Sequence, residues 1–564
     1  MEEESQRPPV TFSRRRTALT AATAVVLIAG ALVIRPARPD AVDHRPPRAE
    51  LRAMAAVGMG APAAAADLGT LITDREGWLR AHPRDDGSWA VLGTAYLEQA
   101  RRTADSGDFP RAEQALKRSL ELRPAGKGNL EAMVGMGALA NARRDFATGK
   151  RWGELVRAQS PGRWTAYPVL VDAYSGIGDY KAAEKAMEKL VSLRPGLAAY
   201  LRAAQVYRDR GWREDAMAAM EQASGAAKTP AEKAYVLYRT GELFWERGET
   251  AEALSRYEAA LRTDPAQARA LGGRARVLAA LGRTGEAVAD YRKALEKVPE
   301  AGFALELGEL LESSGQREEA AEPYAVLRGL VAREAAHGVN ETVTLGLFEA
   351  DHGDPAAAVR VLRAEWGRAK SVQVADALGW ALHRTGDDAA ALEYATKATD
   401  PGLRSAEFAY HRAEIERALG DEAAARRHLQ EALRTNPVFS PVRAPLAKSA
   451  LEAIGQPAAG GPEHVRPVTP WVPPEMPKPK PVGAAAGGDA GAGAGADTGT
   501  DPDPARPKRA APAEPKRAPR AAAEPKRAPA QPEPAPAEPK RAPAVPEREA
   551  AGTVPKRAGA APKP

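Results

Sequence analysis

Glycines recur in this chain at an almost constant interval. Eight of them, from Gly178 to Gly420, are separated by 33, 37, 34, 33, 38, 33 and 34 residues. Each glycine follows one helix-forming stretch and precedes a second, which carries Ala five residues past the glycine, and Pro often closes the unit. Because glycine accepts a positive φ and proline cannot continue a helix interior, every unit is predicted to be two short helices joined by a turn.

The segment GELFWERGETAEALSRYEAALRTDP shows how such a unit would pack. Gly241 in the first helix and Ala253 in the second remove side-chain bulk where the two helices must cross closely. One pair of helices is too small to bury its apolar face, whereas stacked pairs form a continuous core. We therefore predict that the bulky residues Tyr174, Tyr257 and Tyr291 pack in that core.

A period near 34 residues with this order of large and small positions resembles the tetratricopeptide repeat, and the resemblance covers residues 67–455. It implies an all-α fold, a right-handed superhelical solenoid of about ten helix–turn–helix repeats. It also implies a non-enzymatic scaffold that binds a protein or peptide partner. Residues 67–83, DLGTLITDREGWLRAHP, are expected to form a lone capping helix before the first pair.

The resemblance places the partner in a concave groove lined mainly by the first helix of each pair. The predicted groove residues are Arg202, Gln205, Arg208, Tyr235, Tyr238, Arg239, Glu242, Trp245, Arg276 and Trp380. Tyr, Trp and Arg are typical anchors of protein interfaces. The alternative is that these residues lie on solvated or half-packed helix faces.

The predicted groove has two electrostatic ends. Arginine and aromatic residues dominate between residues 202 and 276, and Glu306, Glu309 and Glu312 follow. The first helices lack the Lys/Asn set with which some members of the family hold a peptide C-terminus. An extended segment or a helix lying along the groove is therefore the favoured ligand.

No signature of catalysis, of a cofactor or of a metal site is found in the sequence. Cysteine is absent, the eight histidines are scattered, and the motifs GxxxxGK[ST], HExxH and GxSxG are missing. His411 and Glu414 are three residues apart on a predicted helix, but no third ligand accompanies them and a solvated helix face accounts for both. We therefore predict no enzyme activity, no cofactor and no metal.

The N-terminal region has the features of a membrane segment. Residues 1–16 end in three arginines, and residues 17–34, TALTAATAVVLIAGALVI, carry no charge. A helix of this length spans about 27 Å, close to the hydrocarbon core of a bilayer. Three alternatives are open: a single-pass anchor with the repeats outside the cell, a cleaved export signal, or an anchor with the repeats inside. The outward-facing anchor is favoured, with residues 35–66 as a linker, and the Ala-, Arg-, Gly- and Pro-rich composition suggests a bacterial source.

The C-terminal region differs in composition from the repeats. Residues 456–564 are rich in Pro, Ala, Lys and Arg, contain PKRA five times, and are predicted to be disordered because they cannot form a core. From Arg506 to the end there are 14 basic and 6 acidic residues. Outside the cell this tail would be attracted to an anionic cell-wall polymer. Inside, it would bind lipid or nucleic acid and the chain would be a regulatory or assembly adaptor; an inert spacer is the remaining alternative.

Overall fold

The computed structural model describes residues 48–59 and 62–455. All regular elements in these two ranges are helices, and no strand occurs there. The predicted membrane span at 17–34 and the predicted tail at 456–564 lie outside the described residues. Within the described part of the chain, no helix combines the length and the apolar character needed to cross a bilayer.

Helices follow one another with short connections. The 23 α-helices of the described ranges are α1 (Arg48–Met59), α2 (Ala65–Ala81), α3 (Asp86–Thr103), α4 (Phe109–Leu122), α5 (Leu130–Ala142), α6 (Phe146–Gln159), α7 (Ala166–Ile177), α8 (Tyr180–Leu193), α9 (Leu197–Asp209), α10 (Arg213–Ala226), α11 (Pro230–Glu246), α12 (Thr250–Thr263), α13 (Arg269–Ala280), α14 (Thr284–Lys297), α15 (Ala301–Ser313), α16 (Arg317–Ala336), α17 (Thr342–His352), α18 (Pro355–Arg368), α19 (Val372–Arg384), α20 (Asp388–Thr399), α21 (Ala406–Ala418), α22 (Glu422–Thr435) and α23 (Arg443–Ile454).

Helices α3 to α22 form ten consecutive pairs, numbered here from pair 1 (α3 and α4) to pair 10 (α21 and α22). In each pair the odd-numbered helix packs along the next helix, and each pair contacts the following one. α23 packs on α22 after the last pair. For the described residues, the prediction of an all-α fold built from repeated helical pairs is confirmed.

The N-terminal end of the array differs from the predicted linker and lone cap. Residues Arg48–Met59, inside the range 35–66, form α1, which packs against α2 and α3. Glu50 on α1 pairs with Arg75 on α2 at 2.7 Å, and Ala53 is buried in the first core cluster. α2 is therefore not alone. The sequence of α1 lacks the glycine-centred signature, which is why the repeat pattern does not predict it.

Tyrosines of the second helices lie between small residues of the first helices. Tyr257 on α12 is fully buried, and its ring lies against Gly241 on α11 and Gly273 on α13. A Cβ built on Gly241 would come within 2.7 Å of this ring, and one built on Gly273 within 2.5 Å. Tyr174 and Tyr291 are buried as well, which confirms the prediction of core packing. Glycine is required because two adjacent first helices approach the same ring.

Aspartates that follow the turns begin the second helices. The side chains of Asp179, Asp354, Asp387 and Asp421 each accept a hydrogen bond from the backbone N–H three residues further on. Such an N-cap stabilises its helix by about 1 kcal/mol. Because the aspartate comes directly after the turn, it fixes the residue at which the second helix starts.

The turn glycines fall into two groups according to what faces them. Seven of the eight in the repeated series have φ between 74° and 85°, a region that L-residues rarely adopt; Gly353 is the exception, with φ −144°. Four of the seven have open space where a side chain would be: Gly282, Gly315, Gly386 and Gly420. The other three lie against a later part of the same chain.

Gly178 and Gly211 belong to this second group. A Cβ on Gly178 would overlap the carbonyl oxygen of Lys370, and a Cβ on Gly211 would overlap the carbonyl oxygen of Gly402. Lys370 lies in the loop after pair 8, whereas Gly178 is the turn of pair 3. The array of pairs has therefore coiled through a full turn between them, and the space inside this coil is the lumen.

Hydrogen bonds join successive turns of the coil along a line of contacts that we call the seam. These bonds run from Lys370 N to Ile177 O (3.0 Å), from Asn340 N to Arg143 O (3.0 Å) and from Asn436 Nδ2 to Trp245 O (2.8 Å). The last bond joins residues 191 positions apart in the sequence. In every case the turn of pair n contacts the loop that follows pair n + 5. The turn of pair 3, for example, contacts the loop after pair 8.

Replacing Gly178 by Ala tests the seam. The variant introduces positive-φ strain of about 1–2 kcal/mol and, in addition, the collision with Lys370 O. We therefore expect the Lys370 amide hydrogen to exchange at least about tenfold faster. The matched control is Gly386→Ala, because Gly386 has φ 83° against 85° for Gly178 but faces open space. Hydrogen exchange of the full-length chain by mass spectrometry distinguishes them, and equal protection around Lys370 in both variants would contradict the seam.

Candidate binding lumen

The coil surrounds two cavities that lie in series. Cavity I has a volume of about 810 Å³ and is lined mainly by α3, α9, α11, residues 299–302 at the start of α15 and the loop between α16 and α17. Cavity II has a volume of about 750 Å³ and is lined mainly by α11, α13, α15, α21, the loop before α23 and the first turns of α23. Arg208, Glu242 and Glu246 belong to the walls of both, so the two cavities meet there.

Most residues of the predicted groove lie in the walls of these cavities. Cavity I contains Arg202, Gln205, Arg208, Tyr235, Tyr238, Arg239 and Glu242, and cavity II also contains Trp245 and Arg276. Trp380 faces a third cavity, of about 700 Å³, next to α23. The first helices of successive pairs therefore line the lumen. Whether these residues hold a partner stays a prediction.

Two predicted anchors are not available as exposed surface. Trp245 is 7% exposed, with the Arg276 guanidinium over its ring at 5.7 Å. Trp380 is 5% exposed, and its indole N–H donates to Asp351 at 3.0 Å. The expectation that both tryptophans are exposed in the groove is wrong, because neighbouring helices pack closely enough to cover the wide rings.

The acidic end of the predicted groove is occupied by the chain itself. Arg443, the first residue of α23, is 8% exposed and pairs with Glu309 at 3.0 Å and with Asp351 at 2.6 Å. Burial alone would raise the pKa of Glu309, but the Arg443 guanidinium and His352 together outweigh burial and lower that pKa below its usual range. Glu306 pairs with Arg276 at 2.8 Å. The expected acidic end is therefore largely neutralised within the chain.

Carboxylates from neighbouring pairs neutralise several arginines of the basic end. Arg202 on α9 pairs with Asp172 on α7 at 2.9 Å, and Arg208 on α9 pairs with Glu246 on α11 at 2.7 Å. Each ion pair crosses from one first helix to the next. Half-buried pairs of this kind add little net stability, since desolvation offsets the attraction, but they fix how adjacent first helices are aligned.

Core tyrosines also contribute to the lumen wall. The Tyr257 hydroxyl donates to Glu242 at 2.6 Å, and the Tyr291 hydroxyl donates to Glu306 at 2.8 Å. Burial, reinforced by these glutamates, raises the pKa of both hydroxyls well above the usual value. Both tyrosines therefore remain donors at physiological pH and hold the lumen carboxylates in position.

His411 lies inside the structure. It is fully buried, its ring stacks on Trp380 with the centroids 4.2 Å apart, and Nδ1 lies 3.0 Å from Asp376 Oδ1. The expectation of a solvated helix face is wrong, because α19 packs over this side of α21. Glu414 pairs with Arg417, so His411 and Glu414 do not act together. Burial would lower the pKa of His411, but the Asp376 carboxylate outweighs it and raises that pKa above 6.5.

The His411–Asp376 pair makes the C-terminal pairs sensitive to pH. Because the folded-state pKa of His411 is raised, its stabilising contribution is full below pH 6.5 and is lost as the pH rises through the folded-state pKa. Histidine-ring NMR titration should give a midpoint above 6.5, with His411→Gln identifying the signal. Asp376→Asn should lower the midpoint, since burial is then opposed only by Glu407 and Asp351, whose effect Arg443 partly offsets. An unchanged midpoint in Asp376→Asn would contradict the pair.

Family models match the middle of the chain. One model, described as a tetratricopeptide repeat, matches residues 166–196 and 197–229, and a second with the same description matches residues 238–302 and 281–335. Residues 166–229 and 238–335 therefore match tetratricopeptide repeats. The matched tetratricopeptide units correspond to α7–α16, and they include all the predicted groove residues except Tyr235 and Trp380. No curated protein matches the sequence.

Several solved structures are similar to part of the chain. A thermophilic tetratricopeptide repeat protein of Thermus thermophilus is 20% identical, with a TM-score of 0.28, over 32% of this chain and 98% of its own. A tetratricopeptide repeat protein of Parabacteroides merdae is 18% identical, with a TM-score of 0.28, over 46% of this chain and 98% of its own. A chain from an APC/C hetero-tetramer is 14% identical, with a TM-score of 0.37, over 69% of this chain and 82% of its own.

The sequence analysis missed two arginines of the lumen. Arg101, near the end of α3, lines cavity I, and Arg443 lines cavity II. Neither belongs to the pairs that carry the predicted groove. They reach the lumen because the coil brings distant parts of the chain together, as the 3.5 Å ion pair between Arg102 and Asp264 shows for α3. No local feature of the sequence marks either residue.

Proposed function

We propose that this chain is a non-enzymatic scaffold whose lumen holds a segment of a partner protein. Tetratricopeptide repeats generally mediate protein–protein interactions, and solenoids of this kind bind partners on their concave surface. The lumen supports the proposal because it offers both free space and a wall of aromatic and charged side chains.

The arrangement of the two cavities in series carries the proposal. Each has the volume of a site for one small molecule, which is about 300–1,000 Å³. Because they meet at Arg208 and Glu242, together they suit an elongated ligand better than a compact one. Their walls supply Tyr and Arg, which are enriched among the residues that dominate binding energy at protein interfaces. An extended peptide or a single helix is the ligand that this shape favours.

Gly302→Trp tests whether the partner occupies the lumen. Gly302 is in the first turn of α15, belongs to the walls of both cavities, and has nothing within 4 Å of a Cβ built on it. The indole would therefore project into free space and obstruct the lumen without disturbing the core. A crosslinking pull-down with the full-length chain should recover at least about tenfold less partner.

Gly329→Trp is the matched control for this experiment. Gly329 is also a helical glycine, on α16, with nothing within 4 Å of a Cβ, and it belongs to the wall of neither cavity. Partner recovery should be unchanged, and both variants should keep the helicity of the parent chain by circular dichroism. Undiminished capture by Gly302→Trp would place the partner outside the lumen and reject the proposal.

We further propose that residues 17–34 anchor the scaffold in a membrane with the repeats outside the cell. The support is an uncharged stretch of eighteen residues between arginines. Protease added to intact cells should digest the repeats. Digestion only after lysis would instead support the cytoplasmic adaptor with a nucleic-acid- or lipid-binding tail, and recovery of the chain in the medium would support a cleaved signal. In the outward orientation residues 456–564 are placed to contact an anionic cell-wall polymer.

A further inference from the structure

The arginines of cavity I are not all neutralised by the chain. Seven arginines line this cavity, and five of them form an ion pair with a carboxylate. The paired arginines are Arg102, Arg144, Arg202, Arg208 and Arg269. Arg101 and Arg239 have no carboxylate oxygen within 4.0 Å among the described residues. Cavity I therefore contains two guanidinium groups without a counter-charge in direct contact.

Contacts with neutral groups orient Arg239. Its Nη1 donates to Tyr235 Oη at 3.2 Å, and its Nη2 donates to Gln205 Oε1 at 2.7 Å. The Gln205 amide is fixed in turn by a 2.8 Å bond from its Nε2 to Asp209 Oδ1. Both acceptors of Arg239 are uncharged, and three of its five N–H groups have no acceptor in the described part of the chain. The guanidinium is therefore held in place with its charge uncompensated.

The tyrosines of α11 show where the lumen is positive. Burial would raise the pKa of Tyr235, but Arg239 and then Arg101 outweigh burial and lower that pKa below its usual value. Three residues further on, burial and then Glu242 raise the pKa of Tyr238 well above the usual value. The arginines therefore favour a negative charge at the Tyr235 hydroxyl, whereas burial and Glu242 disfavour one at the Tyr238 hydroxyl.

Acidic groups of the surrounding helices are engaged elsewhere. Asp172 on α7 pairs with Arg202, and Glu300, just before α15, pairs with Arg269 at 2.5 Å. Glu98 on α3 accepts a hydrogen bond from the Ala63 N–H at 3.3 Å; burial raises its pKa, and the nearby Arg101 opposes that rise. No element around cavity I supplies a carboxylate to Arg239 among the described residues.

The opposite end of the lumen shows how the chain treats its own acidic groups. There, Glu309 and Asp351 receive Arg443 from α23 as a counter-charge. Half-buried charges of one sign are costly unless a group of opposite sign accompanies them. The acidic end obtains that group from within the chain, whereas no carboxylate of the described residues pairs with Arg239.

We propose that Arg239, together with Tyr235 and Arg101, binds an acidic side chain of the partner segment. This inference rests on the proposed scaffold function and names the chemical group that the lumen recognises. A carboxylate would accept hydrogen bonds from the free N–H groups of Arg239 and from the Tyr235 hydroxyl, which has no acceptor of its own in the described residues. Because cavity I continues into cavity II, the residue bound here is internal to the segment rather than its C-terminus.

Peptide selection tests the inference. Random peptides, fused at their C-termini to a phage coat protein, are selected on the purified full-length chain. The selected sequences should share an Asp or Glu at one position, and synthetic peptides with Asn or Gln there should bind about tenfold more weakly. On Arg239→Met, the acidic peptide and its amide counterpart should bind equally, because the group that distinguishes them is gone.

Three further variants make the result specific. Arg262→Met is the matched control, because Arg262 is 68% exposed and pairs with Glu258 on the same helix; it should keep the full discrimination. Arg239→Lys keeps the charge but not the planar set of donors, so it should keep part of the discrimination. Tyr235→Phe removes one proposed donor and should reduce the discrimination, which provides a second test if circular dichroism shows that Arg239→Met has lost its fold.

The outcomes separate this inference from the scaffold function. A chain that selects no peptides overturns the scaffold function, and the inference with it. Selected peptides without a shared acidic position, or a discrimination that survives Arg239→Met, overturn the inference alone. A discrimination that disappears when only the peptide C-terminus is amidated also overturns it, because the recognised group would then be a terminal carboxylate.

Discussion

The close approach of first helices to a tyrosine of the second helix is the contact on which the array depends. Tyr257 touches two pairs at once, since Gly241 and Gly273 on adjacent first helices leave room for its ring. The same side chain then donates its hydroxyl to Glu242 in the lumen. The ring of this one residue packs the two pairs together, and its hydroxyl positions a carboxylate of the lumen.

Repetition of this contact produces the coil, and the coil produces the lumen. Each pair is rotated relative to the one before it, and the turn of one pair meets the loop after the fifth pair that follows. At this distance the chain forms backbone hydrogen bonds with itself, which need glycine at positions such as Gly178 and Gly211 because a Cβ would overlap a carbonyl oxygen. The seam closes one turn of the coil against the next, and α3 is thereby placed beside cavity I.

Charge in the lumen is compensated mostly from within. Ion pairs such as Arg202–Asp172 connect successive first helices, and Arg443 on α23 neutralises the acidic end. This compensation explains why a groove rich in charged residues is compatible with a stable fold, since an isolated half-buried charge is costly. Arg239 is an exception, because it forms no such ion pair. Under the proposed inference, an acidic side chain of the partner supplies its counter-charge.

The sequence by itself determined the features that depend on residues within one repeat of each other. The glycine period predicts the helical pairs, the positive φ of seven of the eight turns, and the burial of Tyr257 and Tyr291, because helix formation, turn geometry and pair-to-pair packing are local. The resemblance to the tetratricopeptide repeat implies that the first helices line a concave face. The ten groove residues could be assigned to the first helices from spacing, although their exposure could not.

Only the tertiary structure decided how far the array coils and which residues contact each other across the lumen as a result. No local pattern in the sequence specifies the rotation between pairs or its sum over five pairs. The seam, the entry of Arg443 into the acidic end, the burial of His411 and Trp380, and the absence of a counter-charge beside Arg239 in the described residues all follow from that sum or from packing between separate pairs. These contacts join residues whose separation in the sequence carries no periodic signal.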